Sequence, residues 1–192
     1  RRQRKFCIRD SLGKDGKPEL GIDFEKLQAE LSDEVIGEGE ERYQFTWPDK
    51  RAAARLANIP TTMTLRPCRA ESVDFDHTQN LYIEGDNLEA LTALSYTHAG
   101  KIDVIYIDPP YNTGNKDFVY NDTFVDSEDS FRHSKWLSFM SRRLMIAKQL
   151  LSNQGVIFIS IDFHELPNML LLGNDIFGES NFLANISVKG NP

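Results

Sequence analysis

The sequence predicts an α/β fold over residues 76–192, a mostly parallel sheet with helices on both faces, led by an irregular α+β N-terminal extension over 1–75. Three observations predict it. From Asn80 onward, short apolar runs alternate with stretches whose apolar residues recur at helical spacing. Two of the runs, "IDVIYID" and "GVIFISID", are apolar on successive residues, as strands covered on both faces should be. The order strand, helix, strand, helix, strand, helix then calls for parallel strands joined by right-handed crossovers.

Taken in order, residues 1–22 hold Gly13, Gly16, Pro18 and Gly21 and predict an irregular or hairpin-like lead-in. Phe24, Leu27 and Leu31 predict a short amphipathic helix from Asp23 to about Ser32, followed by the acidic loop "GEGEER". Tyr43, Phe45 and Trp47 alternate before Pro48, a short-strand pattern. "DKRAAARLAN" predicts a helix capped by Asp49, and residues 59–79, with Pro60, Pro67 and many threonines, read as extended. "NLYIEG" predicts a strand. In "DNLEALTALSYTHAG", Leu88, Leu91 and Leu94 share one side of a helix that Gly100 is placed to end. "IDVIYID" is the next strand, and residues 112–130 form a long polar loop. A helix from about Ser134 to Ser152 follows, with the stripe Trp136, Met140, Leu144, Ala147 and Leu151 and a stop at Asn153 and Gly155. "GVIFISID" is a strand. "HELPNMLLLGNDIF" is a helix that tolerates Pro167 in its first turn, and "FLANISV" is a last strand candidate.

Composition is that of an ordinary globular chain, with 40% apolar and 27% charged residues in 192. No apolar run approaches the ~20 residues that cross a bilayer, which predicts no membrane span. Cys7 and Cys68 lie far apart with no CxxC spacing, so they read as buried or idle thiols in a reducing cytoplasm, and no metal site is expected. A formal charge of −7 argues against a surface that wraps nucleic acid throughout, and it leaves room for a local basic face. Two basic clusters exist, Arg1 to Lys5 and Arg132, His133, Lys135, Arg142, Arg143 and Lys148. They read as a solvated tail and the polar side of a helix. The chain begins with Arg and stops at "SVKGNP", which reads as a piece of something longer.

Ligands of open parallel sheets sit beyond the carboxyl ends of the strands. Here those ends are Glu84-Gly85-Asp86-Asn87, Asp108-Pro109-Pro110-Tyr111 and Ser160-Ile161-Asp162, each carrying an acid. For Asp86 and Asp162 the bland reading is the cap of a following helix. No helix follows Asp108. Pro109 lacks an N–H and Pro110 holds it extended, so the pair makes a stiff hook with a carboxylate at its root and a tyrosine ring at its tip. Acceptors beside a flat face suit a planar group bearing an NH₂, such as the exocyclic amine of a nucleobase. The alternative is a rigid turn that merely leaves the sheet.

"DPPY" resembles motif IV of the amino-methylating DNA methyltransferases. The longer string "YIEGDNLEAL…KIDVIYIDPPYNTGNKDFVYND" is similar to the adenine-N6 branch, of the permuted (beta) class and nearest the Mod subunits of type III restriction–modification systems. "YQFTWPDKRAAARLANIPTTMTLRPC" and "GVIFISID…DIFGESNFLANISV" extend the resemblance over nearly the whole chain from about residue 40. The resemblance implies a partial Rossmann-like, S-adenosylmethionine-dependent methyltransferase domain. It implies catalytic roles for Asp108, Pro109, Pro110 and Tyr111: Asp108 and the Pro109 carbonyl accept from the N6 amine of a flipped-out adenine, and Tyr111 stacks on the ring. It places Asp86, Asn87 and Asp108 at the cofactor, and Asn112 and Thr113 along the substrate pocket. It further implies double-stranded DNA as substrate, a restriction (helicase/nuclease) subunit as partner, a homodimer and a cytoplasmic location.

Two departures stand beside the match. The glycine-rich F-x-G-x-G turn that approaches the cofactor is missing, since Gly37-Glu38-Gly39 follows no apolar strand. In the permuted class that turn comes after DPPY, so the expectation is about half of a catalytic domain, truncated before the turn and inactive alone. Val188 stands where relatives often carry an aromatic. Two other readings remain: an RNA or protein amino-methyltransferase, which usually places the glycine turn upstream, and a non-catalytic DNA- or partner-interaction piece.

Overall fold

The computed structural model describes residues 8–12, 18–22, 44–120 and 123–189. The chain divides into two units, Arg1–Gln44 and Phe45–Pro192. In the first, β1 (Ile8–Leu12) and β2 (Pro18–Ile22) pair antiparallel, with Ile8 opposite Ile22 and Leu12 opposite Pro18. This matches the expected lead-in. The helix expected from Asp23, the "GEGEER" loop and Tyr43 lie outside the described residues.

The second unit is built around one long helix. Its elements are α1 (Lys50–Ala57), α2 (Asn87–His98), β3 (Ile102–Ile107), the short antiparallel pair β4 (Val119–Tyr120) and β5 (Thr123–Phe124), α3 (Arg132–Leu150), β6 (Leu151–Ile159) and α4 (Leu166–Phe177). The stripe of α3 is buried as its spacing requires, at Trp136, Met140, Leu144 and Ala147. Leu137, Ser138, Ser141, Ile146 and Leu150 are buried too, because α1, α2 and α4 all pack against this helix. Its basic residues are only in part the solvated face expected of them: Lys148 is exposed and the others are half-buried. Lys135 pairs with Asp129, Lys148 donates to the Ile176 carbonyl, and Arg143 lies over the Phe139 ring. Long stems cover apolar surface here while the cationic heads find partners.

α3 ends at Leu150 and β6 begins at Leu151, ahead of the stop expected at Asn153 and Gly155. The cause is tertiary. Gly100 N–H donates to the Gln149 carbonyl at 2.9 Å and Lys101 N–H to the Leu150 carbonyl at 3.0 Å. The turn that ends α2 thereby satisfies the last carbonyls of α3, and no glycine cap is needed. Gly100 has φ +67°, the left-handed geometry for which glycine stands after a helix. Gly155 serves a register shift instead: a Cβ there would sit 2.7 Å from the Ile102 carbonyl oxygen.

β3 and β6 run parallel, with Val104 opposite Val156 and Ile107 opposite Ile159. Ile107, Ile157 and Ile159 meet the core, while Val104, Tyr106 and Phe158 on the other face are 61%, 69% and 49% exposed. The expectation of helices on both faces is therefore corrected: among the described residues one face is covered. "NLYIEG" and "FLANISV" form no strand, so the sheet has two strands among the described residues. An apolar run supplies side chains for a strand, but its backbone N–H and C=O groups need a neighbour in register. Residues 44–47 likewise form no strand, although Trp47 is buried and donates to Ser138 Oγ at 2.9 Å.

Asp49 stands before α1 as expected but does not cap it with its side chain. It sits at φ +70°, and its carbonyl accepts Ala53 N–H. Lys50 anchors the helix start by donating to the Phe45 carbonyl and pairing with Asp175 at 2.9 Å. Residues 59–79 hold no regular element beyond a 3-10 turn at Arg69–Glu71, beside Cys68, which is exposed and free. Cys7 lies outside the described residues. No helix among the described residues is long and apolar enough to cross a membrane.

Candidate active site at the carboxyl end of the sheet

The parallel register decides where the hook lies. Ser160 N–H donates to the Ile107 carbonyl at 2.9 Å, carrying the ladder one step past β3 and setting Ser160 beside Asp108. The chain then folds back on itself. Tyr111 O–H donates to Asp108 Oδ1 at 2.9 Å, and its oxygen lies 3.0 Å from Ser160 Oγ, which is free to donate to it. Asp108 is exposed, and among the described residues its Oδ2 takes no hydrogen bond. Pro109 and Pro110 are half-buried. Their carbonyls part company: Pro110's accepts the indole N–H of the buried Trp136 at 2.7 Å, and Pro109's is unpartnered among the described residues. Only one of the two carbonyls is thus available to a ligand.

Behind the hook the loop turns inward. Asn112 has φ +60°, is 1% exposed, and donates from Nδ2 to the Arg132 carbonyl and to Glu165 Oε1. Its amide is spent in the interior and not along an open pocket. Thr113, half-buried, takes part in a polar turn: its N–H donates to Asp117 Oδ2 at 3.0 Å and its Oγ1 accepts Asn115 N–H at 3.2 Å. Gly114 at φ +87° completes that turn, where a Cβ would lie 2.6 Å from Ser127 Cβ.

Asp86 stands at the start of α2. Asp86 caps α2, accepting from Leu88 N–H at 2.9 Å and Glu89 N–H at 3.1 Å on Oδ1. Asn87 accepts from Arg143 Nε at 2.7 Å. Burial pulls the Arg143 guanidinium down to about 10, against the attraction of Asp86, which pushes it back up. Asp162 does not cap α4 with its carboxylate; it holds His164, through N–H at 2.9 Å and Nδ1 at 2.7 Å. At the start of α3, Asp129 is held below the ordinary carboxylate range, first by its hydrogen bond from Lys135 and then by Phe131 N–H.

The hook therefore offers one free carboxylate oxygen, one free carbonyl and an oriented phenol at the end of a parallel strand. Residues 102–192, which contain all of these, match the family model described as DNA methylase. The chain resembles the Mod subunits of type III restriction–modification enzymes. It is 36% identical to the EcoPI Mod subunit of Escherichia phage P1 over 87% of this chain and 30% of that protein. It is 50% identical to the probable HindVI Mod subunit of Haemophilus influenzae over 58% of this chain and 14% of that one. The type II methyltransferase M.KpnI of Klebsiella pneumoniae is 45% identical over 59% of this chain and 27% of its own length. The Mod-like chain spans about 30% of the length of the first relatives it matches.

The motif names Asp108 to Tyr111 together, and it carries no sign of the residues that hold them. Ser160 was legible only from strand register, while Trp136 read as core. His133 read as part of a charged face, and Glu165 carried no local signal beyond its place ahead of a helix.

Proposed function

We propose that the intact protein is a site-specific DNA adenine-N6 methyltransferase, the modification component of a restriction–modification system. The observation that carries this reading is the Asp108–Tyr111 hook, with its two free acceptors beside a ring, inside a segment that matches the DNA methylase family. An adenine turned out of the duplex presents a planar NH₂ to the hook. Asp108 Oδ2 and the Pro109 carbonyl accept its two amino hydrogens, which favours a more pyramidal nitrogen whose lone pair leaves the ring plane. Tyr111, held by Asp108 and Ser160, offers its ring for stacking. As nitrogen gains positive charge, the Asp108 carboxylate stabilises it, and no covalent nucleophile is required.

S-adenosylmethionine, when bound, supplies the electrophilic methyl group. The acceptors present suit its hydroxyls and amine: Asp86 and Asp108 are exposed carboxylates, and Asp86 Oδ2 has no partner among the described residues. Asn87 contributes by fixing Arg143 against the start of α2. The same reading gives the protein double-stranded DNA as substrate, a restriction subunit as partner, a second copy of itself, and a place in the cytoplasm.

Methylome sequencing of a methylation-free host that carries the intact gene tests the proposal. N6-methyladenine should appear at one defined site and vanish with Asp108→Ala, while the variant's thermal unfolding stays unchanged. Methylation that survives the substitution, or modified cytosine in place of adenine, overturns it.

A further inference from the structure

Glu165 is the feature that the methylation chemistry leaves unexplained. Its carboxylate is 0% exposed, yet no lysine or arginine pairs with it among the described residues. Isolated carboxylates are costly to bury, and this one is met by N–H donors from three elements. Asn112 Nδ2 and His133 Nδ1 donate to Oε1, the latter at 2.8 Å, and Asn168 Nδ2 donates to Oε2 at 2.7 Å. Arg132 Nε donates to His133 Nε2 at 3.3 Å, which leaves Nδ1 carrying the hydrogen that points at Glu165. The hook's exit loop, the start of α3 and the first turn of α4 are thus fastened to one buried group.

Asn112 connects this group to the hook. It follows Tyr111 directly and sits at φ +60°, a conformation that asparagine tolerates and few other side chains do. Its amide hydrogens go to Glu165 and to the Arg132 carbonyl. Its Oδ1 is buried without a partner, so the contacts on Nδ2 alone settle which way the side chain points. The direction in which the chain leaves Tyr111 decides whether the phenol reaches Asp108 and Ser160.

We propose that Glu165 is a positioning residue for the hook: through Asn112 it holds the left-handed turn that sets Tyr111 against Asp108 and Ser160. Glu165 touches no reacting atom. This role rests on the adenine-methylation reading, and it assigns the work to a residue three positions beyond the strand-end acid Asp162.

The test uses protein from the intact gene, unmethylated genomic DNA from a host lacking that gene, and methyl-labelled S-adenosylmethionine in single turnover. The first-order rate constant does not depend on the fraction of enzyme that is folded, whereas the amplitude does. Asn112→Gly keeps the backbone conformation and removes the tie, and Glu165→Ala removes the anchor. Both should slow the rate constant on the order of tenfold to a hundredfold, the scale of a small misplacement of reacting groups. Glu165→Gln keeps one oxygen toward Asn112 and can donate to a turned Asn168 amide, so it should recover most of that loss. Rate constants at the wild-type value in both Asn112→Gly and Glu165→Ala, with only the amplitude lowered, overturn the proposal. Asp108→Ala is run alongside. If it still methylates, the adenine reading itself falls; if it is inactive while the Glu165 and Asn112 variants run at full rate, only the positioning role falls.

Discussion

Asp86 joins two demands in one carboxylate. It caps α2 through two backbone N–H groups, and it is the proposed acceptor for the cofactor. The two are separable because a hydroxyl caps a helix without carrying charge. Asp86→Ala should cost about 1 kcal/mol in denaturant unfolding, the usual value of a lost N-cap. Asp86→Ser should keep most of that stability and still weaken S-adenosylmethionine binding in calorimetry on the intact protein. Equal binding by the serine variant and the wild type would leave Asp86 a cap and nothing more. Asp108 presents the opposite case, since no helix needs it and its one local partner is the phenol it orients. At this scale the sequence was informative wherever a residue's chemistry is local. It named Asp108, Pro109, Pro110 and Tyr111 together because two prolines and an acid constrain one another over four positions. It could not foresee that the Pro110 carbonyl turns to Trp136, a contact spanning 26 positions.

Helix α3 shows how far periodicity carries at the scale of an element. The apolar stripe identified the buried face because 3.6-residue spacing is a property of the backbone itself. Leu144, 1% exposed on that stripe, should cost 2–5 kcal/mol as Leu144→Ala, read from urea unfolding, roughly the range for a buried leucine that leaves a cavity. Leu91, half-buried on α2, should cost clearly less in the same experiment, and equal losses would contradict the placement of the core around α3. The ends of the helix were less legible. Gly100 and Lys101 close its last turn from another element, so the sequence around residues 153–155 held no information about where it stops. "NLYIEG" and "FLANISV" failed as strands for the related reason that a strand exists only in a pair.

Across the second unit, the face of the β3–β6 pair that stands uncovered among the described residues is the largest difference from expectation. Val104, Tyr106 and Phe158 form apolar surface on a sheet whose other face is packed. Such a face should make this chain bind hydrophobic dyes and associate at high concentration. Phe158→Thr puts a smaller, β-branched side chain that suits a strand in place of the ring and should reduce dye fluorescence and light scattering, with stability changed by no more than about 0.5 kcal/mol. Unchanged scattering would locate the association elsewhere. By itself the sequence determined the helices from Asp86 onward, the two apolar strands and the composition of the hook, because each depends on neighbours within a few positions. Only the tertiary structure decided the pairing of β3 with β6, the contact of Ser160 with Tyr111 and the burial of Glu165 behind Asn112. Those depend on bringing residues 49 and 53 positions apart within hydrogen-bond reach, and only the packed chain around α3 does so.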